Sequence, residues 1–223
     1  MSDTVLKRYI GALDRKIRTQ FSRDSCHDLY HLYRVSTLAL NIQKKEGGDR
    51  LVIGAAAFLH DIHRVMQLET GRYTDPKSSL PKIKTLLDAV HFPQEKIPAV
   101  LHAVEFHEEY SFSKNGKTAR DIETCIVQDA DNLDAMGAIG IGRTFGFSNQ
   151  LQVPMWNPDI PLGRKYFDED LPKDPSTLHH FYSKLLRLKD TMNTPTARAL
   201  AQKRHDYMQG FVREFLDEWR GKK

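Results

Sequence analysis

The stretch that decides the fold reads Leu51-Val52-Ile53-Gly54-Ala55-Ala56-Ala57-Phe58-Leu59 and is followed directly by His60-Asp61. Because a helix that is apolar on every side is a buried one, this run predicts a central helix that ends at His60-Asp61. A buried, ionised Asp is costly unless it is paired, hydrogen-bonded or bound to a metal. The pair therefore indicates either part of a divalent-metal site or a buried His-Asp hydrogen bond without a metal. Because His-Asp also occurs at 27–28 and 205–206, the dipeptide alone does not indicate a buried site. The apolar run before 60–61 is the feature that does.

Two further segments favour the metal site. His31 precedes Val35 by four residues in a helical pattern, so it is expected to face the core. Asp131 shares a stripe with Val127 and Asp134 on another predicted helix. Imidazoles and carboxylates on three predicted helices have the composition of a site for a divalent ion.

The order His, His-Asp, Asp in an all-helical chain resembles the HD superfamily of metal-dependent phosphohydrolases. The likeness rests on His31-Leu32-Tyr33-Arg34-Val35, on Leu59-His60-Asp61 and on the segment 129–140, which begins Asp129-Ala130-Asp131-Asn132-Leu133. It covers nearly the whole chain and points to the small single-domain bacterial branch that includes nucleotide pyrophosphohydrolases of the YpgQ type. Carried over by position, the resemblance implies four metal ligands, which are His31, His60, Asp61 and Asp131. Asp129 is the alternative for the last place, but the wording Ala-Asp-x-Leu selects Asp131.

The resemblance also implies an activity, namely hydrolysis of nucleotides by a water that a metal activates. The expected reaction converts a nucleoside triphosphate to the monophosphate and pyrophosphate. A nucleotidase or phosphodiesterase of the same superfamily is an alternative, and so is a non-catalytic regulatory module that binds metal and nucleotide. Nitrogen and oxygen ligands suit one divalent transition metal, Mn²⁺, Fe²⁺, Co²⁺, Ni²⁺ or Zn²⁺, and Mg²⁺ is also compatible.

One departure from the family pattern concerns the acid that helps to orient the attacking water. Many relatives place a Glu or a Glu-Asp pair shortly after His-Asp, where this chain has Arg64 and Val65. This departure motivates the non-catalytic alternative. Otherwise another residue supplies the acid, and the candidates are Glu108, Asp28 and Asp134. We expect His107 and Glu108, at the end of a predicted helix, to contact water or phosphate.

Hydrolysis of phosphate also needs cations that face the leaving group. Arg34 lies three residues after His31, and His27 and Asp28 lie one turn before it. The expected substrate-binding residues are His27, Asp28, Arg34, Arg64, Arg143, Lys184 and Lys189. The glycine-rich segment 137–142 follows a predicted helix rather than a strand, so it is not a dinucleotide fingerprint and is expected to form a turn or a close helix contact.

Helical periodicity predicts an all-α fold, the helical bundle of an HD domain, as one domain over residues 1–223. The helical segments lie near 2–20, 27–46, 49–65, 78–90, 94–109, 119–136, 176–191 and 195–219. Gly47-Gly48-Asp49 is expected to end one helix and start the next. Residues 150–177 form a long Pro-rich loop, which is expected to act as a lid over the site, or else to be a surface excursion or a homodimer contact through Trp156, Tyr166 and Phe167.

Composition narrows the class of partner. The net charge of +4 is mild, and no block of Lys and Arg is present, so a small anionic nucleotide is expected and a nucleic acid is not. The longest apolar run is far below the roughly 18 residues that span a bilayer, and the N-terminus has no signal-peptide pattern, so no membrane association is expected. Two cysteines do not make a disulfide framework, so we expect a cytoplasmic protein.

Overall fold

A computed structural model describes residues 3–21, 27–108, 121–163 and 175–222. Every regular element within these residues is helical, which confirms the all-α class. They form two compact units, one of residues 3–21 and 27–131 and one of residues 132–163 and 175–222. The α-helices are α1 (Asp3–Ile17), α2 (Leu29–Glu46), α3 (Arg50–Leu59), α4 (Ile62–Thr70), α5 (Leu80–Asp88), α6 (Ile97–Phe106), α7 (Ile122–Asp134), α8 (Gly137–Gln150), α9 (Thr177–Ser183) and α10 (Pro195–Trp219).

Helix α3 is the centre of the first unit. Every residue from Leu51 to Leu59 is buried, and the helix packs against α1, α2 and α6. Its start is fixed by Asp49, whose carboxylate accepts hydrogen bonds from the amides of Leu51 and Val52 at 2.9 and 3.2 Å. The expectation that the Gly47-Gly48-Asp49 segment separates two helices is confirmed.

The helix predicted over 49–65 is in fact two helices. α3 ends at Leu59 and α4 begins at Ile62, and Asp61 between them has φ −93° and ψ 14°. These angles lie outside the α-helical region, in the sparsely populated bridge region, so the helix is interrupted at this residue. The prediction of one continuous helix was wrong because the apolar pattern continues through the break, at Ile62 and Val65. His60 and Asp61 therefore lie at a junction between two helices.

The second unit contains a helix that the sequence did not predict. Its glycine-rich segment was expected to form a turn or a close helix contact, but α8 runs through it from Gly137 to Gln150. Phe145 of α8 has ring contacts with Phe181, Phe211 and Phe215 at centroid distances of 5.9–6.3 Å. These aromatic contacts join α8 to α9 and α10 and form the core of this unit.

The described parts of the expected Pro-rich loop, residues 151–163 and 175–176, contain no helix or strand. Trp156 packs on Trp219 of α10, with ring centroids 5.5 Å apart, so it is not a bare aromatic group. Residues 164–174, with Tyr166 and Phe167, lie outside the described residues. Among the described helices, none combines the length and the apolar character that crossing a bilayer requires.

Two glycines of α8 provide a matched test of how closely the start of this helix packs against Ala135, which lies shortly before it. A Cβ at Gly140 would overlap the backbone carbonyl of Ala135, whereas a Cβ at Gly142 would meet no atom within 4 Å. We therefore expect Gly140→Ala to lower the free energy of unfolding by about 2 kcal/mol or more. Gly142→Ala should raise it by about 0.5–1 kcal/mol, because Ala is the better helix former. Urea unfolding followed by circular dichroism measures both, and equal effects would contradict the packing described here.

Candidate metal centre

Four predicted ligands meet in the first unit, at the end of α3. The Nε2 atoms of His31 and His60 are 3.1 Å apart. His31 Nε2 lies 3.3 Å from Asp61 Oδ2 and 3.4 Å from Asp131 Oδ1. His60 Nε2 lies 3.7 Å from Asp61 Oδ1 and 3.6 Å from Asp131 Oδ1. Both imidazoles are fully buried and the Asp61 carboxylate nearly so, whereas the Asp131 side chain is 17% exposed, so the four groups converge where the interior of this unit opens toward its surface.

These separations fit ligands of one divalent ion. With metal–ligand bonds of about 2.1 Å, neighbouring ligand atoms lie about 3.0–3.5 Å apart. The two closest carboxylate contacts and the imidazole pair fall in this range. The set is supplied by α2, the α3–α4 junction and α7. The sequence likewise predicted that the ligands come from three separate helices.

The charges of the site also require a cation. Burial alone would lower the pKa of His60, but the charges of Asp61 and Asp131 raise it to about 9. Burial would raise the pKa of the Asp131 carboxyl, but the hydrogen bond and charge of His60 hold it well below its usual range. The two carboxylates thus hold a proton on a neighbouring imidazole. A divalent ion satisfies the same negative charge when the imidazole is neutral.

Hydrogen bonds outside the ligand set orient its members. The Nδ1 atom of His60 lies 2.9 Å from the carbonyl of Ala57, so Nδ1 donates, and Nε2 has the lone pair that a metal needs when the imidazole is neutral. His27 Nδ1 lies 2.7 Å from Asp61 Oδ2. Asp28 caps α2 and accepts a hydrogen bond from the amide of His31 at 2.7 Å. His27 and Asp28 therefore support two of the predicted ligands.

A second group of side chains adjoins these ligands. Glu108 Oε1 lies 2.5 Å from Arg64 Nη2 and 3.6 Å from His63 Nε2. His107 is fully buried and packs against His60 with ring centroids 5.1 Å apart. His63 was not among the residues predicted from the sequence. The spacing His-x-x-His at 60 and 63 was the available signal, because residues three apart lie on one side of a helix.

The Glu108 carboxylate is ionised at neutral pH. Burial opposes its charge, but the His63 imidazole, 3.6 Å away, and the charge of Arg64 lower the pKa of Glu108 to about 2. Burial and the charge of His60 lower the pKa of His107, so that imidazole is neutral. Glu108 can thus accept a hydrogen bond from water near the ligand set.

The remaining predicted residues have other surroundings. Arg34 is half-buried on α2, and Asp129 is fully buried on α7. Arg143 Nη1, in the second unit, lies 3.0 Å from Asp134 Oδ2, so Asp134 is occupied by an ion pair there. Lys184 and Lys189 also belong to the second unit, where Lys189 lies 3.5 Å from Asp190 Oδ1. The structure thus brings the four ligands together with His27, Arg64, His107 and Glu108.

Comparison with known proteins agrees with this geometry. The HD domain family model matches residues 28–136. The Bacillus subtilis protein YpgQ, described as uncharacterised, is 38% identical over 193 residues, which cover 85% of this chain and 83% of that protein. The crystal structure of an HD-superfamily hydrolase from Bacillus thuringiensis is 34% identical, covers 97% of both chains and has a TM-score of 0.71. The crystal structure of B. subtilis YpgQ in complex with ADP has a TM-score of 0.74 and 29% identity when the structures are aligned, over 96% of this chain and 95% of that one.

The chain belongs to the HD superfamily, and its HD domain is that of a metal-dependent phosphohydrolase. The resemblance inferred from the sequence motifs is confirmed. Family membership and the His/Asp cluster together imply that a divalent metal ion binds here.

The choice between Asp131 and Asp129 as the fourth ligand can be tested by metal content. Residues two apart on a helix are turned by about 200°, so the two carboxylates cannot serve the same ion equally. We expect Asp131→Asn and His60→Ala to lower metal affinity by more than about 100-fold, beyond the loss typical of a supporting residue. Asp129→Asn is the matched control and should retain most of the metal.

The measurement is elemental analysis of the purified variants after equilibration with Mn²⁺, with circular dichroism to show that each is folded. Retention of metal by a folded Asp131→Asn variant, together with its loss from Asp129→Asn, would transfer the ligand role to Asp129.

Proposed function

We propose that this protein hydrolyses nucleoside triphosphates to the monophosphate and pyrophosphate, with one divalent ion held by His31, His60, Asp61 and Asp131. The observation that carries the proposal is the convergence of two imidazole nitrogens and two carboxylates in the interior of one unit. The ADP complex of YpgQ supports a nucleotide as the ligand. Release of pyrophosphate is what the motif resemblance implies.

The mixed nitrogen and oxygen ligands favour Mn²⁺, Fe²⁺, Co²⁺, Ni²⁺ or Zn²⁺, and they are also compatible with Mg²⁺. When bound, such an ion polarises a phosphoryl group and acidifies a water molecule. Two imidazoles and two carboxylates leave coordination positions for water and substrate, as a catalytic site requires.

Glu108 is the best placed of the three acids considered for orienting the attacking water. Asp28 already accepts the hydrogen bond of the His31 amide, and Asp134 is paired with Arg143. Glu108 is ionised, fixed by Arg64 and close to His63 at the edge of the ligand set. Its Oε atoms can therefore accept a hydrogen bond from a water molecule and orient it. Position 64 is not an acid, but Glu108 provides a carboxylate at the site.

Arg64 is assigned to Glu108 rather than to a substrate phosphate, because its guanidinium already binds this carboxylate. His27 and Arg34 remain proposed phosphate or supporting contacts within the first unit. A phosphate contact of Arg143, Lys184 or Lys189 is still a prediction from the sequence. The single domain, the homodimer and the cytoplasmic location are also still predictions.

The reaction is tested by incubating the Mn²⁺-loaded protein with a panel of ribo- and deoxyribonucleoside triphosphates in ¹⁸O-labelled water. We expect monophosphate and pyrophosphate in equal amounts, because the oxygen of water attacks the α-phosphorus and pyrophosphate leaves. The label should then appear in the monophosphate, as measured by mass spectrometry. Protein carrying Asp131→Asn, prepared in the same way, is the control for a contaminating phosphatase.

Other products would identify the alternatives. Diphosphate with orthophosphate would indicate removal of one phosphate at a time, and cleavage of cyclic or bis-ester substrates alone would indicate a phosphodiesterase. Nucleotide binding without turnover, in protein that carries metal, would contradict the proposal in favour of a regulatory module.

The role of Glu108 gives a separate prediction. Glu108→Gln keeps the size of the side chain but removes the charge that orients water, so kcat should fall by about 10²–10⁴-fold. Metal content should be unchanged, because Glu108 is outside the four-ligand set. Glu105→Gln is the matched control in α6, the helix that ends just before Glu108, where Glu105 pairs with Lys77 at 3.2 Å. Equal kcat values for the two variants would exclude Glu108 from the reaction.

A further inference from the structure

Three imidazoles of the first unit share one orientation. The Nδ1 atoms of His60, His63 and His107 lie 2.9, 3.0 and 2.6 Å from the carbonyl oxygens of the residues three positions earlier. In each ring Nδ1 therefore donates, and in the neutral imidazole Nε2 carries a lone pair. Within the described residues, Nε2 of His63 and Nε2 of His107 are buried and have no hydrogen-bond partner. Two buried acceptors thus lie beside the four-ligand set without a donor.

His63 completes a second group with the geometry of a metal site. Its Nε2 atom lies 3.6 Å from Glu108 Oε1 and 4.0 Å from Asp61 Oδ1. One ligand atom from each of the three residues lies within 4.8 Å of the others. An ion at the centre of such a triangle would have bonds of about 2.1–2.5 Å, which nitrogen and oxygen ligands form with divalent cations. Asp61 would serve both groups, with Oδ2 toward His31 and Oδ1 toward His63.

A positive charge already lies at this second group. Arg64 Nη2 is 2.5 Å from Glu108 Oε1, and Arg64 Nε is 3.9 Å from Asp61 Oδ1. The guanidinium thus contacts both of the carboxylates that a second ion would need. The two groups contain three carboxylates, Asp61, Glu108 and Asp131, and one divalent ion together with Arg64 balances their charge. A second divalent ion would add two unbalanced positive charges close to a guanidinium, where repulsion is strong.

We propose that Arg64 takes the place of a second metal ion, so that the native centre holds one divalent ion and becomes a two-ion centre when the charge of Arg64 is removed. In the native protein the guanidinium holds Glu108 and Asp61 in position. In its absence, Glu108 and Asp61 face His63 with uncompensated charge, and a second divalent ion occupies the group. Arg64 is accordingly a positioning residue, and His63 is a latent ligand.

The test counts bound ions and needs no turnover. We would saturate the wild-type protein and the variants Arg64→Gln and Arg64→Met with Mn²⁺, and measure the ions bound per chain by elemental analysis after gel filtration. The expected result is one ion in the wild type and two in both variants. Electron paramagnetic resonance should show an isolated Mn²⁺ in the wild type and a spin-coupled pair in the variants, because Asp61 would bridge the two ions.

Two controls separate charge from other effects. Arg64→Lys keeps the positive charge and should bind one ion, as the wild type does. The double variant Arg64→Gln with His63→Gln should return to one ion, because it lacks the nitrogen ligand of the second group. Arg64→Met retains the length and packing of the side chain, so it serves if Arg64→Gln does not fold.

Two ions bound to the wild type or to Arg64→Lys would overturn the inference. One ion bound to the folded Arg64→Gln and Arg64→Met variants would overturn it as well, and so would two ions bound to the double variant. The inference rests on the proposed metal centre, but the two fail in different ways. A wild-type protein that binds no ion contradicts both, whereas one ion in the wild type and one in the charge-removed variants contradicts only the role given to Arg64.

Discussion

The structure depends on the burial of one carboxylate, that of Asp61, at the junction of α3 and α4. Only 2% of Asp61 is exposed, so nearly all of the hydration of its charge must be replaced by protein groups or a metal. Its Oδ2 atom faces His27 and His31, and its Oδ1 atom faces His60, His63 and Arg64. The apolar helix that forms the core of the first unit thus also places a buried negative charge beside the groups that must satisfy it. Folding and metal chemistry are coupled at this residue.

Local patterns explain what could be predicted. The apolar run of α3 and the facing side of α2 follow from helical periodicity, so the burial of His31 and His60 was accessible from the sequence. The interruption at Asp61 was not, because Ile62 and Val65 continue the apolar pattern while the backbone leaves the helical region. Helix α8 was missed because three glycines in a short segment oppose helix formation in isolation, and aromatic packing on α10 outweighs them.

Contacts between distant residues account for the rest of the site. Arg64 stands where many relatives have an acid, and from the sequence alone it motivated the non-catalytic alternative. In the structure its partner is Glu108, 44 residues away, just beyond the end of α6. No periodicity relates these two positions, because their meeting depends on how α4 and α6 are placed around α3. A carboxylate missing at one position of the chain is thus supplied from another.

The tethering of three imidazoles to backbone carbonyls has an evolutionary consequence. Where a carboxylate side chain orients a histidine, a single substitution of that carboxylate can release the ring. Here the acceptors are the peptide carbonyls of Ala57, His60 and Val104, which every amino acid possesses. Mutations at these positions can change the side chain without removing the acceptor. Substitutions at the acceptor positions therefore leave the orientation of the ring nitrogens unchanged. During evolution the neighbouring charges can change while the same set of nitrogen donors is kept.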